Sequence, residues 1–246
     1  MKLKILGSGS SGNCYILENK TSALVLECGV PFKEIKQALN FNISKVAGAL
    51  VSHEHQDHCK SIRDVMSAGI NVYASDGTIA ALGLAKEHRA YRLFNKTQKE
   101  IGEFSVLPFD VKHDCAEPMG FLIDHPETGH ILFVTDSYYV PHTFKNLNNI
   151  LVEANYCSKI VAERMANNNI HVKVRDRVIE SHMSIDTCLG LLKANDLKAV
   201  NNIVLIHLSD SNSNAADFKK RVEEQTGKTV HIAGKNMEID LSKTPF

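Results

Sequence analysis

His53-Glu54-His55-Gln56-Asp57-His58 constrains this chain more than any other stretch: three imidazoles and the carboxylate of Asp57 fall together, directly after the apolar run Val46-Ala47-Gly48-Ala49-Leu50-Val51-Ser52. That run is short enough for a buried strand, and Ser61-Ile62-Arg63-Asp64-Val65-Met66 reads as a helix. The cluster is therefore expected on a strand-to-helix turn. In an extended turn, His53 and His55 project to one side while Asp57 and His58 diverge toward a second position, so one loop could feed two ions. Neutral imidazole suits zinc, iron and other first-row metals, and carboxylate oxygen completes or bridges such sites. A polar helix entrance, with Asp57 as a cap and solvated histidines, is the alternative; four ligand-type side chains at this spacing favour a metal.

At 246 residues and 43% hydrophobic content, one domain over 1–246 with a substantial core is expected. Lys plus Arg and Asp plus Glu both number 28, so no net field draws the molecule to nucleic acid or an anionic membrane, and any polyanion must meet a local patch. Six cysteines without a C-x-x-C pair, and a start lacking the apolar core of a signal peptide, predict a reduced, cytoplasmic setting. No apolar run approaches the length that spans a bilayer, which predicts a soluble protein with no membrane partner. Cys59, beside His58, is read as a small buried hydrophobe and not as a ligand.

Short apolar segments predict strands at 3–6, 14–17, 23–27, 48–51, 71–74, 104–109, 119–123, 131–135, 150–153, 202–207, 229–233 and 237–241. Helical periodicity appears at 31–39, 62–68, 78–86, 158–167, 185–194 and 215–225. Strands outnumbering helices, with no linker, predict a layered α/β arrangement with sheets inside and helices outside. The two halves share a similar rhythm.

More ligands are needed than one loop supplies. His113 follows the run from Val106 to Lys112, Asp136 ends Ile131-Leu132-Phe133-Val134-Thr135, and His207 ends Ile203-Val204-Leu205-Ile206. Each alone could be a strand-end residue in water, but their shared position favours a common site. With these residues in place, the chain resembles the metallo-β-lactamase superfamily over nearly its whole length: His53-x-His55-x-Asp57-His58, His113, Asp136 and His207 occur in the family's order. The resemblance implies that His53, His55 and His113 hold one ion and Asp57, His58 and His207 another, with Asp136 bridging. It also implies an αββα sandwich, two facing mixed β-sheets flanked by helices, with the site along one edge. The opening Gly7-Ser8-Gly9-Ser10-Ser11-Gly12-Asn13, the segment His113-Asp114-Cys115-Ala116-Glu117-Pro118-Met119-Gly120, and the stretches Leu151–Tyr156, Ser181–Ser184 and His207–Ser209 are similar to the YycJ/WalJ-like branch and its nuclease relatives.

Two divalent ions, zinc or manganese foremost and iron also possible, would supply an activated water and neutralise charge in an in-line displacement at phosphorus. Asp57, His182 and Glu153 are the catalytic candidates, His182 as proton donor to the leaving alkoxide and Glu153 as its orienting carboxylate, a pairing that resembles motifs of ribonuclease Z. His182 could instead be an exposed residue before a helix capped by Ser184, and Glu153 could satisfy a backbone amide. For substrate contacts, Ser8, Ser10, Ser11 and Asn13 could form an anion nest or only a tight turn. Lys173, Arg175 and Arg177 alternate along a segment read as extended, either a phosphate track or a solvated edge strand. Ser209 and Asn212 precede a helix beginning near Asn214 and could shape the metal surroundings, bind phosphate or merely cap. His88, His125, His130, His142, His171 and His231 show no ligand context. The expected function is a dinuclear phosphodiesterase on nucleic acid, DNA before RNA, with a 5′ to 3′ exonuclease mode implied by the resemblance. A hydrolase of a small ester, thioester, lactone or cyclic phosphodiester and a non-enzymatic metal-bound scaffold are the competing readings.

Overall fold

A computed structural model describes residues 1–244. Its first half runs through β1 (Lys2–Gly7), β2 (Cys14–Glu18), β3 (Ala23–Leu26), α1 (Phe32–Ala38), β4 (Val46–Leu50), α2 (Gln56–Cys59), α3 (Ile62–Ser67), β5 (Val72–Ser75), α4 (Asp76–Ala81) and β6 (Ala90–Leu93). The second half comprises β7 (Lys99–Ile101), β8 (Phe104–Asp110), β9 (Met119–His125), β10 (Gly129–Val134), β11 (Leu147–Glu153), α5 (Ser158–Ala166), α6 (Val172–Ser181), α7 (Ile185–Lys193), β12 (Asn202–Ile206), α8 (Ala215–Thr226), β13 (Thr229–Ile232) and β14 (Met237–Asp240).

The strands form two seven-stranded sheets, ordered β14-β1-β2-β3-β4-β5-β6 and β13-β12-β11-β10-β9-β8-β7. Both are mixed in the same way. In the first, pairing is antiparallel from β14 to β3 and parallel from β3 to β6. The second repeats this, antiparallel from β7 to β10 and parallel from β10 to β13.

Side chains of a strand alternate between faces, and here both faces are apolar, because each sheet is covered twice. Tyr15, Leu17, Leu24 and Leu26 of the first sheet meet Phe121, Phe133, Leu151 and Val204 of the second in a shared inner core. The intervening Ile16, Ala23 and Val25 pack under Ile35 of α1, Val65 of α3 and Ile79 of α4. On the far side, Val152, Ile203 and Leu205 pack under Ile185 and Leu192 of α7 and Phe218 of α8. The result is helix, sheet, sheet, helix. Each fully buried leucine, isoleucine or phenylalanine contributes roughly 1.5–3 kcal/mol to holding the layers together. Among the described residues, no helix is long and apolar enough to cross a membrane.

The expected strands all form, and Ser184 and Asn214 cap α7 and α8 by accepting from the amides of Thr187 and Asp217. Three local readings need correction. The helix expected over 78–86 ends at Ala81, where Gly83 takes a left-handed φ of +65°. Strands β6 and β7 were not foreseen, since both are short, largely polar edges. The segment carrying Lys173, Arg175 and Arg177 is a helix and not an extended track. Its alternation of valine with cations imitates a strand, yet it joins neither sheet, so its backbone is satisfied internally instead.

Candidate metal centre

The ligand loop leaves β4 and is fixed before it reaches its first imidazole: the Ser52 amide donates to the Glu27 carboxylate, at 3.2 Å and 3.3 Å to its two oxygens. His53 Nδ1 then lies 2.9 Å from Ser52 Oγ, which turns Nε2 inward. His55 caps the short α2 in extended conformation, so Asp57 and His58, one turn on, face another direction. His53 and His55 meet His113 in one group, and Asp57 and His58 meet Asp136 and His207 in a second, so the loop divides its side chains between two positions. In each group the ligand-type atoms lie within 4.8 Å of one another. Asp136 joins the two: its Oδ2 is 3.9 Å from His53 Nε2, 3.8 Å from His113 Nε2 and 3.4 Å from His58 Nε2.

The donors fit a divalent cation. His113 Nδ1 donates to the Ser181 carbonyl at 2.7 Å, leaving Nε2 as a lone pair 3.1 Å from His55 Nδ1. An ion bound tetrahedrally at zinc–nitrogen distances separates neighbouring donors by about 3.3 Å. His53 Nε2 is buried with no hydrogen-bond partner among the described residues, a costly arrangement unless a cation receives it. His207 Nδ1 must donate to Glu153 Oε1 at 3.1 Å, since a carboxylate only accepts, and this directs Nε2 to within 3.4 Å of Asp57 Oδ2.

Three acidic or imidazole side chains reach the centre through strained backbone. Glu27 follows β3, Asp136 lies just past β10 and His207 follows β12, with φ of +66°, +42° and +53°. Strict alternation would aim each at the outer helical layer; the left-handed residue breaks the alternation and returns the side chain to the gap between the sheets. For a glutamate and a histidine this conformation is uncommon and costs about 1–2 kcal/mol.

The model of the metallo-beta-lactamase superfamily matches residues 7–142, more than half of the chain and including six of the seven clustered ligand candidates. The chain belongs to the metallo-β-lactamase superfamily. Its likeness to the exodeoxyribonuclease YycJ of Bacillus anthracis is 30% identity over 169 residues, 63% of each chain. The exodeoxyribonuclease WalJ of Streptococcus pneumoniae is 28% identical over 174 residues, 65% of this chain and 64% of that one. These matches support the YycJ/WalJ-like branch, and in both the chain spans less than two thirds of the relative's length. Among solved structures, the metallo-β-lactamase fold protein YhfI from Bacillus subtilis superposes with a TM-score of 0.73 at 15% identity, covering 97% of this chain and 99% of that one. In this metallo-β-lactamase protein the His/Asp cluster is compatible with divalent ions.

Charge around the cluster is set by burial against neighbours. Burial opposes ionisation of Asp57, but hydrogen bonds from His207 and His58 hold its carboxyl well below the usual range. Asp136 is likewise held down by His207 and His58 against its burial. In return, burial lowers His207 but Asp136 and Asp57 outweigh it, raising the imidazole to about 10. His53, where desolvation and the neighbouring His58 act together, stays neutral. Such a site attracts positive charge, and a divalent ion satisfies it while displacing protons.

Glu153, wholly buried, adjoins the second group and, with Asp136, His182 and His207, makes a third set of ligand-type atoms within 4.8 Å of one another. Its Oε1 accepts from His182 Nδ1 at 2.7 Å and from His207 Nδ1, while Oε2 accepts from the amides of Ser137 at 2.9 Å and Met183 at 3.0 Å. His182, Ser10 and Lys173 line the cavity over the cluster, which holds about 460 Å³. Of the other substrate candidates, all but Ser11 make contacts within the protein. Ser8 Oγ accepts from the His207 amide at 2.9 Å and bonds Tyr15 Oη at 2.8 Å. Asn13 is buried, with Oδ1 accepting from the Gly9 amide and Nδ2 3.3 Å from Asp57 Oδ2. The amides of Gly12 and Asn13 donate to the carbonyls of Gly9 and Asp57, so the opening braces the ligand loop. Ser11 is exposed. Arg175 is engaged by Asp176, Ser209 Oγ accepts from the Asn212 amide, and Asn212 Oδ1 accepts from Arg164. Cys59 is buried and donates to the Glu54 carbonyl.

Glu27 was not foreseen. Its carboxylate lies 3.5 Å from His58 Nδ1, both side chains fully buried. The signal was present: Glu27 ends the apolar run of β3 as Asp136 ends that of β10.

Proposed function

We propose that this protein is a dinuclear phosphodiester hydrolase, an exonuclease acting on DNA. The observation that carries the reading is the pair of ligand groups sharing the Asp136 carboxylate, with the His182–Glu153 pair set against one side. Five imidazoles and two carboxylates suit zinc or manganese, and iron as well. Two such ions would be held by His53, His55 and His113 and by Asp57, His58 and His207, and when bound supply a nucleophile from water near neutral pH and stabilisation of charge developing on phosphorus.

The remaining chemistry belongs to the chain. His182 Nδ1 is occupied by Glu153, so its Nε2 is the nitrogen available to the cavity and to a departing alkoxide. Burial alone lowers the His182 pKa, but the Glu153 carboxylate outweighs it and keeps the imidazole protonated more readily. Glu153 also orients His207, so proton donor and ligand are registered by one carboxylate. The names of the relatives support DNA and an exonucleolytic mode.

Metal analysis of the purified protein, followed by reconstitution with each ion on end-labelled DNA and RNA, tests this. A chromogenic phosphodiester and a thioester are assayed alongside. The expected outcome is metal-dependent shortening of DNA from its 5′ end. Turnover of the thioester with no phosphodiester cleavage would overturn the reading in favour of a small-molecule hydrolase.

A further inference from the structure

Helix α6 covers the ligand cluster without being held by the core. Of its ten residues only Ser181 is buried, and Val172 and Val174 are about half exposed. It is anchored instead at its end, where the Ser181 carbonyl accepts from His113 and the chain passes directly into His182. At 100° per residue, Lys173, Val174, Arg177 and Val178 share one face, and these four form a wall of the cavity above the cluster. Arg175 and Asp176 lie on the other side and engage each other.

The inward face has two halves. Lys173 has no acidic partner among the described residues, and Arg177 has one, Asp114 Oδ2, at 3.5 Å from Nε, with the arginine side chain 68% exposed. Side chains four apart on a helix have Cβ atoms about 5–6 Å apart, close enough for both cations to meet one anionic group. Beside them, Val174 and Val178 offer a short apolar strip. The molecule as a whole has zero net charge, so attraction for a polyanion must come from a local array such as this one. The floor, in contrast, is lined by the carboxylates of Asp57 and Asp136.

We propose that α6 is a specificity-determining wall: Lys173 and Arg177 grip the phosphate next to the one being cut, and Val174 and Val178 lie against the sugar and base between them. The proposal rests on the nuclease reading and deepens it, because it makes an unpaired oligonucleotide strand, not an isolated diester, the preferred substrate. Cations track backbone phosphates while apolar or aromatic surfaces take up bases in single-strand binding generally.

The test uses the full-length, metal-loaded protein and its Lys173→Ala/Arg177→Ala double variant. Two substrates are compared, a 5′-phosphorylated single-stranded oligodeoxynucleotide and bis(p-nitrophenyl) phosphate, which carries one phosphate. The kcat/KM for the oligonucleotide should fall at least tenfold further than that for the small diester, mainly through KM. The salt dependence of oligonucleotide binding should lose about 0.7 in log–log slope, the amount for one single-strand phosphate contact. Lys219→Ala/Lys220→Ala on the distant α8 removes the same charge and should change neither ratio. Equal losses on both substrates, or an unchanged slope, would overturn the wall while leaving phosphodiester cleavage standing. A wild-type protein that cleaves neither substrate removes the nuclease reading and the wall with it.

Discussion

Glu153 shows how much one buried carboxylate can organise: two imidazoles and two backbone amides converge on its two oxygens. At this scale the mechanism makes a separable demand on His182. His182→Ala should lower turnover of an oligonucleotide by about 10²–10⁴, the range for loss of a general acid, with metal content unchanged. With a nitrophenolate leaving group, which needs no proton, the loss should be much smaller; an equal loss on both would remove the proton-donor role. Glu27 makes a different demand, because it touches His58 and not the cavity. Glu27→Ala should weaken metal affinity about 10–100-fold, read by competition with a chromophoric chelator, and added metal should restore activity. Unaltered affinity would show that Glu27 serves only the Ser52 amide.

Among the elements, the ligand turn depends on how closely backbones can approach it. Gly29 has no room for a side chain: a Cβ there would sit 1.7 Å from the Asp57 carbonyl oxygen and 2.7 Å from the Asn13 amide. The glycine-bearing segments thus stack on α2, with the Asn13 amide donating to the Asp57 carbonyl and the Asn13 carbonyl accepting from the Gly29 amide. Gly29→Ala should destabilise the protein by about 3 kcal/mol, the upper range for overpacking, and lower metal occupancy together with Tm. Calorimetry and metal stoichiometry on the same sample check this, and a variant with normal Tm and two bound ions would refute it. The same close packing explains why the opening Gly/Ser segment was ambiguous as sequence. Glycines serve an anion nest and a backbone contact equally well, and only the partner across the gap, Asp57, distinguishes them.

The whole molecule repeats one plan twice, and the centre lies where the two copies meet. Glu27 leaves the central strand of one sheet and Asp136 the central strand of the other, both in left-handed conformation, and both approach His58. Since the ligands come from loops of both sheets, bound metal should stabilise the fold as a unit. Chelation should lower Tm: at 100-fold excess over Kd a bound ligand contributes about 2.7 kcal/mol, equivalent to roughly 5–10 °C for a chain of this size. A Tm unchanged on metal removal would argue against a centre that spans both sheets.

The sequence by itself determined the layers and which side chains gather in the cluster. Both-face apolar strands have to be covered on both sides, and His53, His55, Asp57 and His58 are close enough in the chain for local geometry to divide them between two positions. His113, Asp136 and His207 were legible because each ends an apolar run. Tertiary structure alone decided the rest. The direction of Glu27, Asp136 and His207 depends on left-handed residues that alternation does not foresee, and the conformation of α6 depends on its lying outside both sheets, where valine and lysine alternation loses its usual meaning. Long-range hydrogen bonds, such as those that give Glu153 both histidines, join residues far apart in the chain, and no local pattern encodes a contact whose partner is brought there only by folding.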